Sequence, residues 1–162
     1  MGNGRKLVKM TLAMQDFNRW SQQTASLLRQ RRFDEIDIET LAQEVEDLGK
    51  SERRAIASYL TVLLTHLLKW KYQPAGRQYT DEGEPLGSWA GSIVYSRLEI
   101  QKLLSDNPSL KTYPEMILEK SYQDAVKVAR QETGLKDFPV DCPFSVSLVL
   151  DDLWWPDERH DG

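Results

Sequence analysis

Residues 51–74 read SERRAIASYLTVLLTHLLKWKYQP. Advancing each residue by a hundred degrees, as a helix requires, spreads Ile56, Leu60, Leu63, Leu64, Leu67 and Leu68 over more than half of the circumference. The polar remainder, Ser58, Thr61, Thr65 and Lys69, is a narrow strip. A helix this apolar is buried among other helices rather than laid on a surface. The run is too short and too interrupted to span a bilayer. It predicts the central helix of an all-α domain, terminated at Pro74 and Gly76.

Upstream, Asp16 is a suitable N-cap for a helix whose apolar stripe is Phe17, Trp20, Thr24, Leu27 and Leu28. A basic cluster, Arg29, Arg31 and Arg32, complements the negative end of that helix. Asp37 caps a second helix with Ile38, Leu41, Ala42, Val45 and Leu48 on one face and Glu39, Glu44, Glu46 and Asp47 on the wet side. Gly49 marks a stop or a kink before the central stretch, with Ser51 placed to cap a restart.

Downstream, residues 74–87 (PAGRQYTDEGEPLG) show no period, and their composition favours a loosely ordered loop. Ser88 is placed to cap a helix carrying Trp89, Ile93, Arg97, Ile100, Leu103 and Leu104, closed by Asp106-Asn107-Pro108. Pro114 suits a first helical position, and Leu118, Tyr122, Ala125 and Ala129 form the stripe of a last long helix ended by Gly134. Residues 138–162 read as an irregular flap with one short helix over 145–153, followed by Trp154 and Trp155. Adjacent tryptophans point different ways, which leaves room for one to be exposed; such a pair more often marks a flap packed over the bundle than a partner site, and an exposed tryptophan makes Trp154 and Trp155 interface candidates. No strand pattern and no repeat is visible. The expected fold is a single all-α domain over residues 1–162: a compact bundle of four to five main helices with up-and-down connections, and a flexible stretch over residues 1–12.

Composition narrows the function classes. The net charge is −4, divided as +4 over residues 1–80 (13 basic, 9 acidic) and −8 over residues 81–162 (8 basic, 16 acidic). An acidic whole argues against a general nucleic-acid binder, although Arg29, Arg31, Arg32, Arg53 and Arg54 form the one basic set such a role would use. A single cysteine, Cys142, fits a reducing cytoplasm, and its acidic neighbour Asp141 does not favour a reactive thiolate. The N-terminus has no apolar run of signal-peptide type. No phosphate-binding glycine loop or nucleophile-elbow motif occurs. With only His66 and His160, a three-histidine zinc site is impossible within the chain, and no Glu-x-x-His pair exists for a di-metal site, so no metal and no cofactor is expected.

His66 is the remaining chemical candidate. On the wheel it lies near Tyr59, Val62 and Trp70, with Lys69 one step away. Burial and like charge would both hold its imidazole neutral, fit to act as a base or a hydrogen-bonding group. The competing reading is a core histidine satisfied by a backbone carbonyl.

The order DFNRW, LLRQRRFDEID, LAQEVEDLGKSERR, LLTHLLKWKYQP, SW, DNPSL and CPFS, running from Asp16 to Pro156, resembles domain-of-unknown-function family 29, a mostly bacterial group of helical proteins. Its most specific piece is H-L-L-K-W-x-x-Q-P, His66 to Pro74, followed by a helix led by Trp89. The loop before Trp89 is longer and more acidic than the family's short basic link. The resemblance implies an all-helical domain and places His66, Lys69, Trp70, Gln73 and Trp89 in the family's motif, without attaching an activity. The leading expectation is therefore a cytoplasmic interaction protein that binds another macromolecule or itself, as a homodimer, with no membrane segment. The alternatives are an enzyme or small-ligand binder with a pocket at His66, Trp70 and Trp89, and nucleic-acid binding through the basic helix ends.

Overall fold

The computed structural model of the chain describes residues 16–157; the expectations for residues 1–12 and for His160 lie outside them. Five α-helices occur among the described residues: α1 (Phe17–Arg29), α2 (Ile38–Tyr72), α3 (Gly87–Asp106), α4 (Tyr113–Thr133) and the single-turn α5 (Val146–Val149). The fold is all-α. Two corrections concern the middle of the chain. Gly49 does not stop a helix, because α2 runs unbroken for 35 residues from Ile38 to Tyr72. The stretch after Pro74 is ordered: β1 (Gln78–Tyr79) pairs antiparallel with β2 (Pro85–Leu86) in a two-stranded hairpin. Its turn is closed by Thr80 N–H to Glu84 O at 2.8 Å and Gly83 N–H to Thr80 O at 2.9 Å, with Gly83 at φ +86°. Only glycine adopts that conformation without strain, a signal hidden in a stretch whose strands are too short to show a period.

The chain divides into two compact units, residues 1–51 and 52–162. In the N-terminal unit Asp16 caps α1 by accepting from Arg19 N–H at 2.9 Å. At the other end Arg31 N–H donates to Leu28 O and Arg32 N–H to Leu27 O, both at 3.0 Å. That is the Schellman pattern, with Arg31 at φ +58° in the place glycine usually takes. The exchange of glycine for arginine there costs roughly 1 kcal/mol of backbone strain. Asp37 caps the start of α2 through Thr40, whose N–H and hydroxyl donate to its carboxylate at 3.2 and 2.9 Å. Burial is sparse: among the described residues of this unit only Trp20, Thr24 and Ile36 are buried. The stripe of α2 expected to be its inner face is instead open, with Ile38 54%, Val45 59% and Leu48 68% exposed. Phe17 and Leu28 of the α1 stripe are exposed as well.

The C-terminal unit holds the hydrophobic core. Ile56, Leu60, Leu63, Leu64, Leu67 and Leu68 of α2 are all fully buried, each contributing roughly 1.5–3 kcal/mol through burial. Thr61 and Thr65, on the polar strip, turn their hydroxyls to the carbonyls of Ala57 and Thr61 at 3.0 and 2.8 Å, so they cross the core edge with their polar groups satisfied. Helix α3 begins at Gly87 after an extended Leu86, without the Ser88 side-chain cap expected. Gly87 sits at φ +92°, where a Cβ would meet the Gln78 side chain. Helix α4 has Pro114 in its first turn and Gly134 at φ +73° as its left-handed cap, as the sequence predicts.

The segment after α4 is tied down as a strap. Tyr122 Oη donates to Pro139 O at 2.5 Å, and Glu119 accepts from Cys142 N–H at 3.2 Å. The packed-flap reading holds, and the interface-anchor alternative for Trp154 and Trp155 fails. Trp154 and Trp155 are each 9% exposed. Their divergence lets one ring pack on Phe144 (centroids 5.4 Å apart) and the other on Trp70 (4.9 Å), so both serve the core.

Candidate functional site

The last turns of α2 carry His66, Lys69, Trp70 and, just beyond, Gln73. Successive helical positions diverge by a hundred degrees, so neighbours in the motif serve different surroundings. Lys69 and Trp89 come together: the Lys69 ammonium lies 4.7 Å from the centroid of the Trp89 ring and 2.7 Å from Glu132 Oε2, contributed by the last turn of α4. The Trp89 ring is in turn packed on the backbone of Gly76. A Cβ there would lie inside the van der Waals envelope of the ring, 2.6 Å from Cζ3 and 2.9 Å from Cζ2. The single turn Pro74–Gly76 that allows this approach is closed by Gly76 N–H to Gln73 O at 3.0 Å. Gln73 thus marks the hinge between helix and turn.

Trp70 belongs to a second cluster. It is fully buried, in edge contact with Tyr79 (5.5 Å) and packed on Trp155. The carboxylate of Asp157, itself 3% exposed, accepts from Trp70 Nε1 at 3.5 Å and from Tyr79 Oη at 3.3 Å. Trp70 therefore has no surface to offer a ligand.

His66 is half-buried, and its Nδ1 lies 2.8 Å from Val62 O one turn back. A carbonyl only accepts, so Nδ1 carries the proton and Nε2 keeps its lone pair. Burial lowers the imidazole pKa, and the nearby Lys69 charge lowers it further against the opposing pull of the Val62 carbonyl. The ring is a neutral hydrogen-bonding group whose donor is spent on its own helix.

Three further residues, not singled out from the sequence, organise this end of the unit. Arg77 donates from Nε to Trp70 O at 2.6 Å and from Nη2 to Lys71 O at 3.2 Å, satisfying carbonyls at the end of α2. Arg97 is fully buried and donates from Nε to Val149 O at 2.8 Å and from Nη2 to Trp154 O at 2.9 Å, with its guanidinium 5.7 Å from the Trp155 ring. Burial pushes its pKa down to about 10, so it stays charged at neutral pH. Asp157 is the third. Arg97 left a trace, as a charge on the apolar stripe of its helix. Arg77 and Asp157 left none, because their partners are backbone or rings distant in sequence.

The remaining candidates separate from this region. Arg32 forms a two-pronged pair with Glu35, one bond of which, Nη2 to Oε1, is 2.6 Å, so part of the basic cluster is neutralised within its own turn. The Cys142 thiol is half-buried, and burial raises its pKa, opposite to what a nucleophile needs. No group of three His, Cys, Asp or Glu side chains suited to a metal ion occurs among the described residues. No helix among them is long and apolar enough to cross a membrane. A recess of about 80 Å³ lies in the N-terminal unit, lined by Trp20, Thr24, Leu27 and Ile36 with Gln23, Glu35 and Asp37 at its polar side. No curated protein and no solved structure matches the chain. A family model, described as domain of unknown function DUF29, matches residues 12–155, and the chain belongs to that family.

Proposed function

We propose that this chain is a bacterial, cytoplasmic interaction protein whose N-terminal unit presents the binding face. The observation that carries this reading is the open stripe on α2, with Ile38, Val45 and Leu48 each more than half exposed. Apolar side chains recurring at helical spacing on an uncovered face are costly in water and are the usual anchors of a helix-mediated contact. The family motif at His66 to Pro74 supports the reading from the other side, since Lys69, Trp70 and Trp89 are occupied by intramolecular partners. The single cysteine and its raised pKa are at ease in a reducing compartment. Nucleic-acid binding through the basic cluster is disfavoured by the pairing of Arg32 with Glu35.

A photo-crosslinking side chain placed at Leu48 tests the proposal. It should yield a crosslinked species of higher mass in the native cytoplasm. The same group at Leu153, which is 83% exposed on the strap, is the control and should yield none. Absence of any product from position 48 would refute the reading.

A further inference from the structure

We propose that the recess between α1 and the start of α2 is a binding site for a short aliphatic ammonium group, carried by a free amine or by a lysine side chain. The proposal does not rest on the interaction reading above, which uses the open residues Ile38, Val45 and Leu48. The recess has a volume of about 80 Å³ and is walled by Trp20, Leu27 and Ile36. A cavity of about 150 Å³ holds benzene and a single water needs about 10–15 Å³, so this one takes a guest of a few heavy atoms. Two of its walls, Trp20 and Ile36, are buried and hold the recess in shape.

The observation that points to a ligand is Thr24. Threonines within helices commonly turn the hydroxyl to the carbonyl one turn back. Thr61, Thr65 and Thr133 do so here, at 3.0, 2.8 and 2.7 Å. Thr24 is 7% exposed and lines the recess, yet its hydroxyl makes no hydrogen bond among the described residues. Buried hydroxyls are rarely left without a partner. This one is open to whatever enters the recess and to nothing else in the described chain.

The sign of the guest follows from the polar side. Of the residues that line the recess, Glu35 and Asp37 are acidic and none is basic. Both carboxylates also serve the fold: Glu35 pairs with Arg32, and Asp37 accepts from the N–H and hydroxyl of Thr40. A carboxylate has about four lone-pair sites, so these roles do not prevent it from accepting another donor. An ammonium carries three donors and no acceptor, which matches a hydroxyl and carboxylates. An anionic guest would be repelled. Trp20 supplies an aromatic wall of the kind that attracts cations best, and Leu27 and Ile36 are suited to the alkyl chain.

Titration of the full chain with n-butylammonium chloride, followed by proton–nitrogen NMR correlation spectra, tests this. The Trp20 indole and Thr24 amide signals should shift and saturate in the millimolar range, as befits so small a guest. The indole signal of Trp70, fully buried in the other unit, should stay in place. n-Butanol and butyrate should bind at least tenfold more weakly. Thr24→Val should weaken the amine at least tenfold and leave the thermal midpoint unchanged or higher, because the fold does not bond the hydroxyl. Asp37→Asn keeps a capping side chain on α2 and should weaken the amine by a similar factor. Absence of any response at Trp20 and Thr24 overturns the proposal, as does butanol binding as tightly as the amine. A Thr24→Val variant of wild-type affinity, or one with a lowered midpoint, overturns it too. Nα-acetyl-lysine amide, titrated in the same way, separates the two sources. Binding as tight as that of butylammonium assigns the site to a lysine side chain, and binding tenfold weaker assigns it to free amines; either result supports the ammonium site.

Discussion

Replacing Arg97 separates two opposing energies that meet at one side chain. Its guanidinium makes two charge-assisted bonds to the strap, at 2.8 and 2.9 Å. Such bonds are worth about 1.5–3 kcal/mol each, so their joint loss amounts to roughly 3–6 kcal/mol. Against this stands the burial of a fully enclosed cation with Nη1 unbonded. The fall in pKa from 12.5 to about 10 corresponds to about 3 kcal/mol of disfavoured charge. Arg97→Met removes bonds and charge together, and with the stack on Trp155 it should cost about 1–4 kcal/mol net.

Arg97→Lys is the sharper variant. It keeps the buried charge, and an ammonium is more strongly hydrated than a guanidinium, so the burial penalty is not relieved. It also loses the planar fork that reaches Val149 O and Trp154 O at once. Lysine should therefore destabilise at least as much as methionine, although it is the conservative exchange by charge. Urea unfolding followed by tryptophan fluorescence reads the effect directly, since Trp154 and Trp155 are part of the strap and packed into the core. A lysine variant within about 0.5 kcal/mol of wild type, below the usual effect of a core substitution, would refute the reasoning.

Two further outcomes follow from the motif region. Gly76→Ala should lower stability by about 1–3 kcal/mol, because the added methyl must displace the Trp89 ring and loosen its contact with Lys69; an unchanged thermal midpoint would show that the ring is not held there. Because the folded pKa of His66 lies below its ordinary value of 6.5, the unfolded chain binds the proton first. Stability should be full above that value and decline as pH falls through it toward the folded pKa, and His66→Gln should flatten that decline in pH-dependent urea titrations. An identical slope in both proteins would assign the effect to another group.

The fold was legible because its deciding signal is local. The girth of Leu60 to Leu68, the caps at Asp16 and Asp37 and the left-handed Gly134 are written in adjacent residues, and each reappears in the structure. What could not be read depends on partners far along the chain. The clasp of Asp157 on Trp70 and Tyr79 spans more than seventy residues, and nothing near either end announces it. The hairpin at Gln78–Leu86 has strands of two residues, too short for alternation to register. The stripe on the first half of α2 was misread for a different reason. Periodicity reports that a helix has an apolar face, and is silent about whether the same chain covers it.

That last distinction bears on where function resides. A family signature invites a search for chemistry at its most specific residues, here His66 to Pro74. In this chain two of those residues are engaged by the architecture, Lys69 by Glu132 and Trp89 and Trp70 by Trp155 and Asp157, and just beyond them Gly76 is covered by the face of an indole. Specific side chains are needed there because the contacts are close and mutually dependent, and that is enough to make a motif. The residues of α2 with no such obligation are the apolar ones before Ser51. In this helix of 35 residues Leu60, Leu63, Leu64, Leu67 and Leu68 of the later turns are fully buried, whereas Ile38, Val45 and Leu48 of the earlier turns stand open. Its buried turns hold the C-terminal unit together, and its open turns leave the apolar side chains of Ile38, Val45 and Leu48 uncovered among the described residues.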